Sequence, residues 1–219
     1  MPDDLSYPLI DQLYQKYLHS ENSAGFVEAV SQYYTIGTLE RLATYGRRVS
    51  RRAAVLAIGF LGDYRCNDIL GRALKDSDRA VRLLADHGLR TVWFRIDHPG
   101  HRQKLNTIYR LNQCQRFEEA VMLADEVIFR DEEICEIWNQ RAIANYALEN
   151  YYESCGDCWR ALELNPFQFS AAMGLGHCHL QMNEVAEAIE SFKVALDINP
   201  DLENVRAQIE HLTRILEGQ

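Results

Sequence analysis

Apolar residues recur at the helical period along almost the whole chain. Beside Leu9, the residues Ile10, Leu13, Tyr14, Tyr17 and Leu18 fall at i, i+3, i+4, i+7 and i+8, so they line one face of a helix. Leu105, Ile108, Tyr109 and Leu111 repeat the pattern, as do Leu202, Val205, Ile209, Leu212 and Leu216. No stretch shows the convincing two-residue alternation of a half-buried strand. Helix breakers interrupt at short intervals: Asn22-Ser23, Gly46, Gly62-Asp63, Asp76-Ser77-Asp78, His98-Pro99-Gly100, Asn165-Pro166 and Asn199-Pro200. Helices of roughly 10–17 residues joined by such short loops pack antiparallel. The pattern therefore predicts an all-α chain built of helical hairpins.

An internal repeat organises the second half. Ala161-Leu162-Glu163-Leu164-Asn165-Pro166 returns 34 residues later as Ala195-Leu196-Asp197-Ile198-Asn199-Pro200. At the same offset Ala142 matches Gly176, Glu153 matches Glu187 and Ser154 matches Ala188; one period earlier stand Phe117, Glu119, Ala120 and Val127. With Trp138, Ala142 and Pro166 in the middle copy, and Leu175, Gly176, Ala188, Phe192, Ala195 and Pro200 in the last, the segment resembles the tetratricopeptide repeat family. Three copies cover roughly 101–134, 135–168 and 169–202. Small residues such as Ala120, Ala142, Gly176 and Ala188 let two helices approach, and Phe117, Tyr151 and Phe192 fill the space between. The prolines end one helix and fix the turn into the next. The first copy departs from this, with Glu132 in the proline position and Thr107-Ile108 in place of the Leu-Gly pair. Residues 201–217 read as the capping helix that covers a solenoid's last apolar face.

The first half shows a weaker period near 31. Leu74, Asp76, Asp78, Val81, Arg82, Ala85 and Leu89 resemble short HEAT-like repeats of the phycobilisome-lyase type: a helix, an Asp-x-Asp turn, then Val-Arg-x-x-Ala. An earlier copy keeps Arg51 and Ala54 and lacks both turn aspartates, and residues 5–34 read as one more helical pair. Together the two resemblances imply an α-solenoid. Its HEAT-like region is expected over 1–97 and its tetratricopeptide domain over 98–219, with His98-Pro99-Gly100 at the seam.

Composition narrows the class. The 219 residues are 47% hydrophobic and 25% charged, with 12 Gly and 5 Pro, which excludes a disordered tail and a turn-rich β-sandwich. The net charge of −9 hides an asymmetry: residues 41–95 carry twelve bases and five acids, residues 96–219 ten bases and twenty-one acids. No apolar run is long enough for a membrane span, and Met1 to Leu9 lacks the basic start of a secretory signal, so a cytoplasmic location is expected. The six cysteines sit within apolar helical patterns and read as buried thiols.

Four sets of residues carry candidate chemistry. In tetratricopeptide proteins the first helix of each hairpin lines a groove for extended peptides or partner helices. The resemblance places Leu105, Tyr109, Asn112 and Gln113 there from the first copy. The second adds Glu136, Asn139, Ile143 and Tyr146, and the third Met173, His177, Leu180 and Gln181. The alternatives are that Tyr109, Ile143 and Leu180 are simply buried, or that the groove holds the protein's own N-terminus. Family members that clamp a C-terminal carboxylate use basic side chains on these helices. The matching positions here, Leu105, Tyr109, Gln140, Ser170 and Gly174, hold none.

The basic segment is the second set. Arg47, Arg48, Arg51, Arg52, Arg72, Lys75, Arg79 and Arg82 would face phosphate or an acidic protein, unless Asp63, Asp76 and Asp78 occupy them internally; nucleic acid is the weaker partner class. In the third set, Cys155 and Cys158 share a helix face while His177 and His179 point apart, so no zinc site is expected and no cofactor is implied. Fourth, no His-Glu-x-x-His, phosphate loop or Gly-x-Ser-x-Gly is present, so an enzyme is not expected. The remaining alternative is a lyase-like enzyme accessory. The leading expectation is a non-enzymatic scaffold for a protein or peptide partner.

Overall fold

The computed structural model describes residues 8–218. Residues 1–7 and 219, which belong to the expected domain ranges and to the helical pair expected over 5–34, lie outside them. The described residues form thirteen α-helices and one 3₁₀ turn joined by short loops, with no strand among them. No described helix is long and apolar enough to cross a membrane. The chain divides into two compact units, Met1–Trp93 and Phe94–Gln219.

The first unit contains α1 (Leu9–Ser20), α2 (Ser23–Tyr33), α3 (Ile36–Tyr45), α4 (Arg48–Leu61), a 3₁₀ turn (Tyr64–Cys66), α5 (Asn67–Ala73) and α6 (Arg79–Val92). Side-chain caps fix three helix starts. Asn22 accepts from Gly25 N, Thr35 from Thr38 N, and Asp78 from Ala80 and Val81 N. Helix α4 is the centre of the unit and packs on α1, α2, α3 and α6. Every residue from Ala53 to Ile58 is therefore buried, which small and branched apolar residues tolerate. Helices α4 and α6 cross at two glycines: a Cβ added at Gly59 would lie 3.2 Å from the Cα of Gly88. The buried carboxylate of Asp11 accepts a 2.7 Å hydrogen bond from Ser50 Oγ.

The second unit contains α7 (Pro99–Gln113), α8 (Phe117–Ile128), α9 (Cys135–Ala147), α10 (Tyr151–Leu164), α11 (Phe169–Gln181), α12 (Val185–Ile198) and α13 (Glu203–Leu216). His98-Pro99-Gly100 opens α7: His98 Nδ1 accepts from His101 N, and Pro99 sits where no N–H is needed. Helices α8, α10 and α12 start at 117, 151 and 185, and α9, α11 and α13 at 135, 169 and 203, so the spacing is 34 in both series. The backbone keeps the same period. Gln115, Glu149 and Asn183, one in each hairpin turn, all have positive φ, at 59°, 64° and 62°. Between hairpins, Asp131 accepts from Glu133 N, Asn165 from Phe167 N and Asn199 from Asp201 N, each a side-chain turn closed by an acceptor two residues back. Asp131 thus makes the same turn in the copy that lacks the proline.

Packing inside the hairpins exchanges volume between two facing positions. Ala142 and Cys158 fill the slot in one repeat; Gly176 and Phe192 fill it in the next. A Cβ at Gly176 would stand 2.4 Å from the Phe192 ring. Arg141 adds a charged tie from α9 to both neighbours, with Nε 3.0 Å from Asp157 on α10 and Nη1 on Asp125 of α8, and its guanidinium lies 4.7 Å from the Trp138 ring centre. The layers follow from which helices touch. Helix α7 packs on α9 and α9 on α11, so the first helices of the hairpins form a continuous layer. The second helices, α8, α10 and α12, pack on first helices and, among the described residues, do not pair with one another to a comparable extent.

Candidate functional site

The face of α7, α9 and α11 holds the groove residues expected from the repeat, and they fall into three environments. Tyr109 and Ile143 are large apolar side chains left 42% and 45% exposed, and Gln181 is also exposed. Tyr146, Met173, His177 and Leu180 are half-buried, and Met173 and Leu180 pack on the core beneath α12. Asn112 and Asn139 are buried.

Two groups form from these residues. Gln181 Nε2 donates to the Tyr146 hydroxyl at 3.2 Å, and the Tyr146 ring meets His177 edge-on at 6.4 Å between centres. His177 in turn packs edge-on against Phe192 at 5.1 Å. Burial lowers the His177 pKa, so near neutral pH it serves as an uncharged ring. Tyr109 stands apart from this group, with its ring 5.2 Å from Phe94.

The second group is an amide network that the sequence reading did not foresee. Glu136 Oε1 accepts from Asn139 Nδ2 (3.0 Å) and Gln140 Nε2 (2.7 Å), and its Oε2 accepts from Gln168 Nε2 (2.6 Å). Asn112 Nδ2 donates to the backbone and side-chain oxygens of Gln140 at 2.9 and 3.0 Å. All five side chains are buried, so the network joins α7, α9 and the residue before α11 inside the layer. It fixes how the first helices register on one another. Asn112 and Asn139 are therefore positioning residues, unable to meet a partner without repacking. Glu136 and Gln140 sit one turn apart on α9, a spacing that brings two polar groups to one face and was the available signal.

No family model matches the chain. A TPR repeat-containing protein of Rhizobium etli is 27% identical over 104 residues, which is 48% of this chain and 51% of that protein. The WD and tetratricopeptide repeats protein 1 of Homo sapiens is 29% identical over 80 residues, 35% of this chain and 12% of that protein. The chain thus spans about half the length of the first and a small part of the second. Among solved structures, the first TPR of Spaghetti (RPAP3) bound to an HSP90 peptide superposes with a TM-score of 0.49 at 18% identity, over 52% of this chain and 94% of that one. The TPR2AB domain of yeast Sti1 in complex with pHSP90 gives 0.48 at 16%, over 93% and 95%. The chain is similar to tetratricopeptide repeat proteins.

Leu105 and Tyr109 of α7, Gln140 of α9 and Ser170 and Gly174 of α11 carry no positive charge. The half-exposed groups are aromatic, aliphatic and amide, a set that suits apolar anchors and backbone amides.

The basic segment in the first unit is largely tied inward. Arg51 grips Asp76 with two bonds of 2.7 and 2.8 Å, and Arg52 grips Asp78 with two of 2.9 and 2.6 Å. Arg82 Nη1 donates to Asp76 O at 2.9 Å. The Arg52 guanidinium, helped by the N–H groups of Val81 and Ala80, holds the Asp78 carboxyl down at about 2. Arg47, Arg48 and Arg79 remain exposed, with Arg48 Nε 3.8 Å from Asp78.

The cysteine–histidine set does not converge. Cys178 Sγ lies 3.1 Å from Ser154 Oγ, and Cys155 reaches Cys178 across the α10–α11 contact. His179 Nδ1 sits 2.7 Å from Glu184, while His177 faces Phe192. Burial raises the thiol pKa of Cys135 and Cys158. Among the described residues no group of three or more His, Cys, Asp or Glu side chains is placed to hold a metal.

Proposed function

We propose that the chain is a non-enzymatic protein-interaction scaffold that holds an extended peptide or a partner helix on the face of α7, α9 and α11. The observation that carries this reading is the exposure of Tyr109 and Ile143, two large apolar groups on adjacent first helices of a well-packed layer. The Tyr146–His177–Gln181 group supplies polar and aromatic contacts beside them. The missing bases favour internal segments of a partner over a free C-terminal carboxylate. The first unit is a HEAT-like hairpin array in this reading, supported by the Asp76-Ser77-Asp78 turn and its arginine pairs, and the scaffold works in the cytoplasm.

The test compares wild type with Tyr109→Ser/Ile143→Ser as baits for native lysate, with proteins identified by mass spectrometry. Both positions are half-exposed, so the thermal unfolding midpoint of the variant should stay within a degree or two. The reading expects partners recovered by wild type and lost by the variant. The same partners recovered at the same yield would place the interaction elsewhere.

A further inference from the structure

The second helices leave an opening on the other side of the same unit. Because α10 and α12 pack on α11 more than on each other, a groove of about 670 Å³ runs along α12. Its floor is the buried Leu175 and Ile189, and Trp159 of α10, Val194 of α12 and Leu216 of α13 stand over it. These three are 56%, 47% and 55% exposed. Single exposed apolar residues are common on any surface. Three from three different helices around one concavity form a contiguous apolar opening.

The surroundings are acidic. Residues 149–219 carry twelve acids and four bases. At the groove itself stand Glu187 and Glu190, and the one lysine there, Lys193, is already ion-paired with Glu190 at 2.7 Å. His179, at another wall, is held by Glu184. A second copy of this chain would bring the same acidic surface against it, which charge repulsion disfavours.

We propose that this groove is a second docking site, whose occupant is an amphipathic helix of another protein bearing Leu-type anchors and flanking lysines or arginines. A helix laid between two helices buries its apolar stripe on Leu175, Ile189 and Trp159, and its cations meet Glu187 and share Glu190 with Lys193. The site uses the second helices and stands independently of the face of α7, α9 and α11.

The test is fluorescence anisotropy at about 150 mM salt, where surface charge is screened beyond ~8 Å. The probe is a labelled peptide of two Leu-Lys-Lys-Leu-Leu-Lys-Leu heptads; its counterpart carries Glu for every Lys. The full chain should bind the lysine peptide saturably, one per chain, and leave the glutamate peptide unbound. Trp159→Ser/Val194→Ser should weaken binding about tenfold or more, and Glu187→Gln/Glu190→Gln severalfold with a shallower salt dependence. Tyr109→Ser/Ile143→Ser should bind as wild type does. Circular dichroism confirms that each variant is folded. No binding of the lysine peptide, equal binding of both peptides, or equal affinity of wild type and Trp159→Ser/Val194→Ser overturns the proposal. Loss confined to Tyr109→Ser/Ile143→Ser also overturns it, because it moves the peptide to the first helices.

Discussion

The turn before α6 in the first unit and the turns between hairpins in the second solve one problem with different chemistry. In the first, Asp76 and Asp78 are ionised, each gripped by an arginine from α4, and Asp78 also caps α6. In the second, Asp131, Asn165 and Asn199 close a local side-chain turn, and the hairpins are then locked by shape, Gly176 against Phe192. The charged tie of the second unit, Arg141 with Asp157, lies in a more buried setting. The two carboxylates, one in each unit, part ways: pairing wins at Asp78 and lowers its pKa, while burial wins at Asp157 and raises it. The first unit therefore carries a stabilising contribution from ionisation that acid removes. In the second unit Asp157 contributes in the opposite direction, and the hairpins are locked by packing.

The largest effects should come from the shape lock. Phe192→Ala opens a cavity in the second unit and should cost about 3–5 kcal/mol in urea unfolding. Gly176→Ala forces a methyl into the same ring and should cost about 1–3 kcal/mol, despite the helix preference of alanine. Phe192→Leu in the Gly176→Ala background should recover part of that loss; no recovery would mean that the two positions do not share one slot.

Next comes the charged turn. Asp78→Ala removes a cap and an ion pair together and should cost about 2 kcal/mol. The pH dependence has a definite sign. The folded pKa of Asp78, about 2, lies below the ordinary 3.8, so its contribution is full above about pH 4 and is lost as pH falls towards 2. Asp157 has the opposite shift, so its contribution is present at low pH and lost as pH rises through its raised folded value. Trp93, buried in the first unit, reports that unit alone in Trp138→Phe/Trp159→Phe. Its fluorescence should change at a higher pH on acid titration than that of Trp138 in a chain lacking the other two tryptophans. Coincident titrations, or the reverse order, would break the contrast between the units.

The smallest effects test the local turns. Asp131→Ala should cost about 0.5–1 kcal/mol, the worth of one such hydrogen bond. Glu132→Pro restores the Asx-Pro pair of the other two copies and should stabilise by about 0.4–1 kcal/mol through the unfolded chain. Destabilisation by Glu132→Pro would show that the first turn differs from the other two in backbone as well as in sequence.

What could be read in advance follows from how local each signal is. Helices and the 34-residue period were legible because apolar spacing and turn residues act within a few positions. Asp131 hid the first of the three turns, since an aspartate without its proline looks like any surface acid. The pairing of Arg51 and Arg52 with Asp76 and Asp78 was half-visible: the charges were obvious, and their matching depends on how α4 meets α6. Asn112 and Asn139 illustrate the harder case. On one strip of helix a buried asparagine and an exposed one look alike, and only Glu136, Gln140 and Gln168, brought in from other turns and another hairpin, make burial tolerable. The groove along α12 had no signal of its own, because it is the space left where second helices do not meet.

The face of α7, α9 and α11 is best tested by photo-crosslinking in cells. A benzophenone amino acid is placed at Ile143 in one chain and at Phe129, 92% exposed and at the end of the second helix α8, in another. The account predicts a discrete crosslinked protein from position 143 and none from 129. Crosslinks of equal strength from both, or from 129 alone, would contradict it.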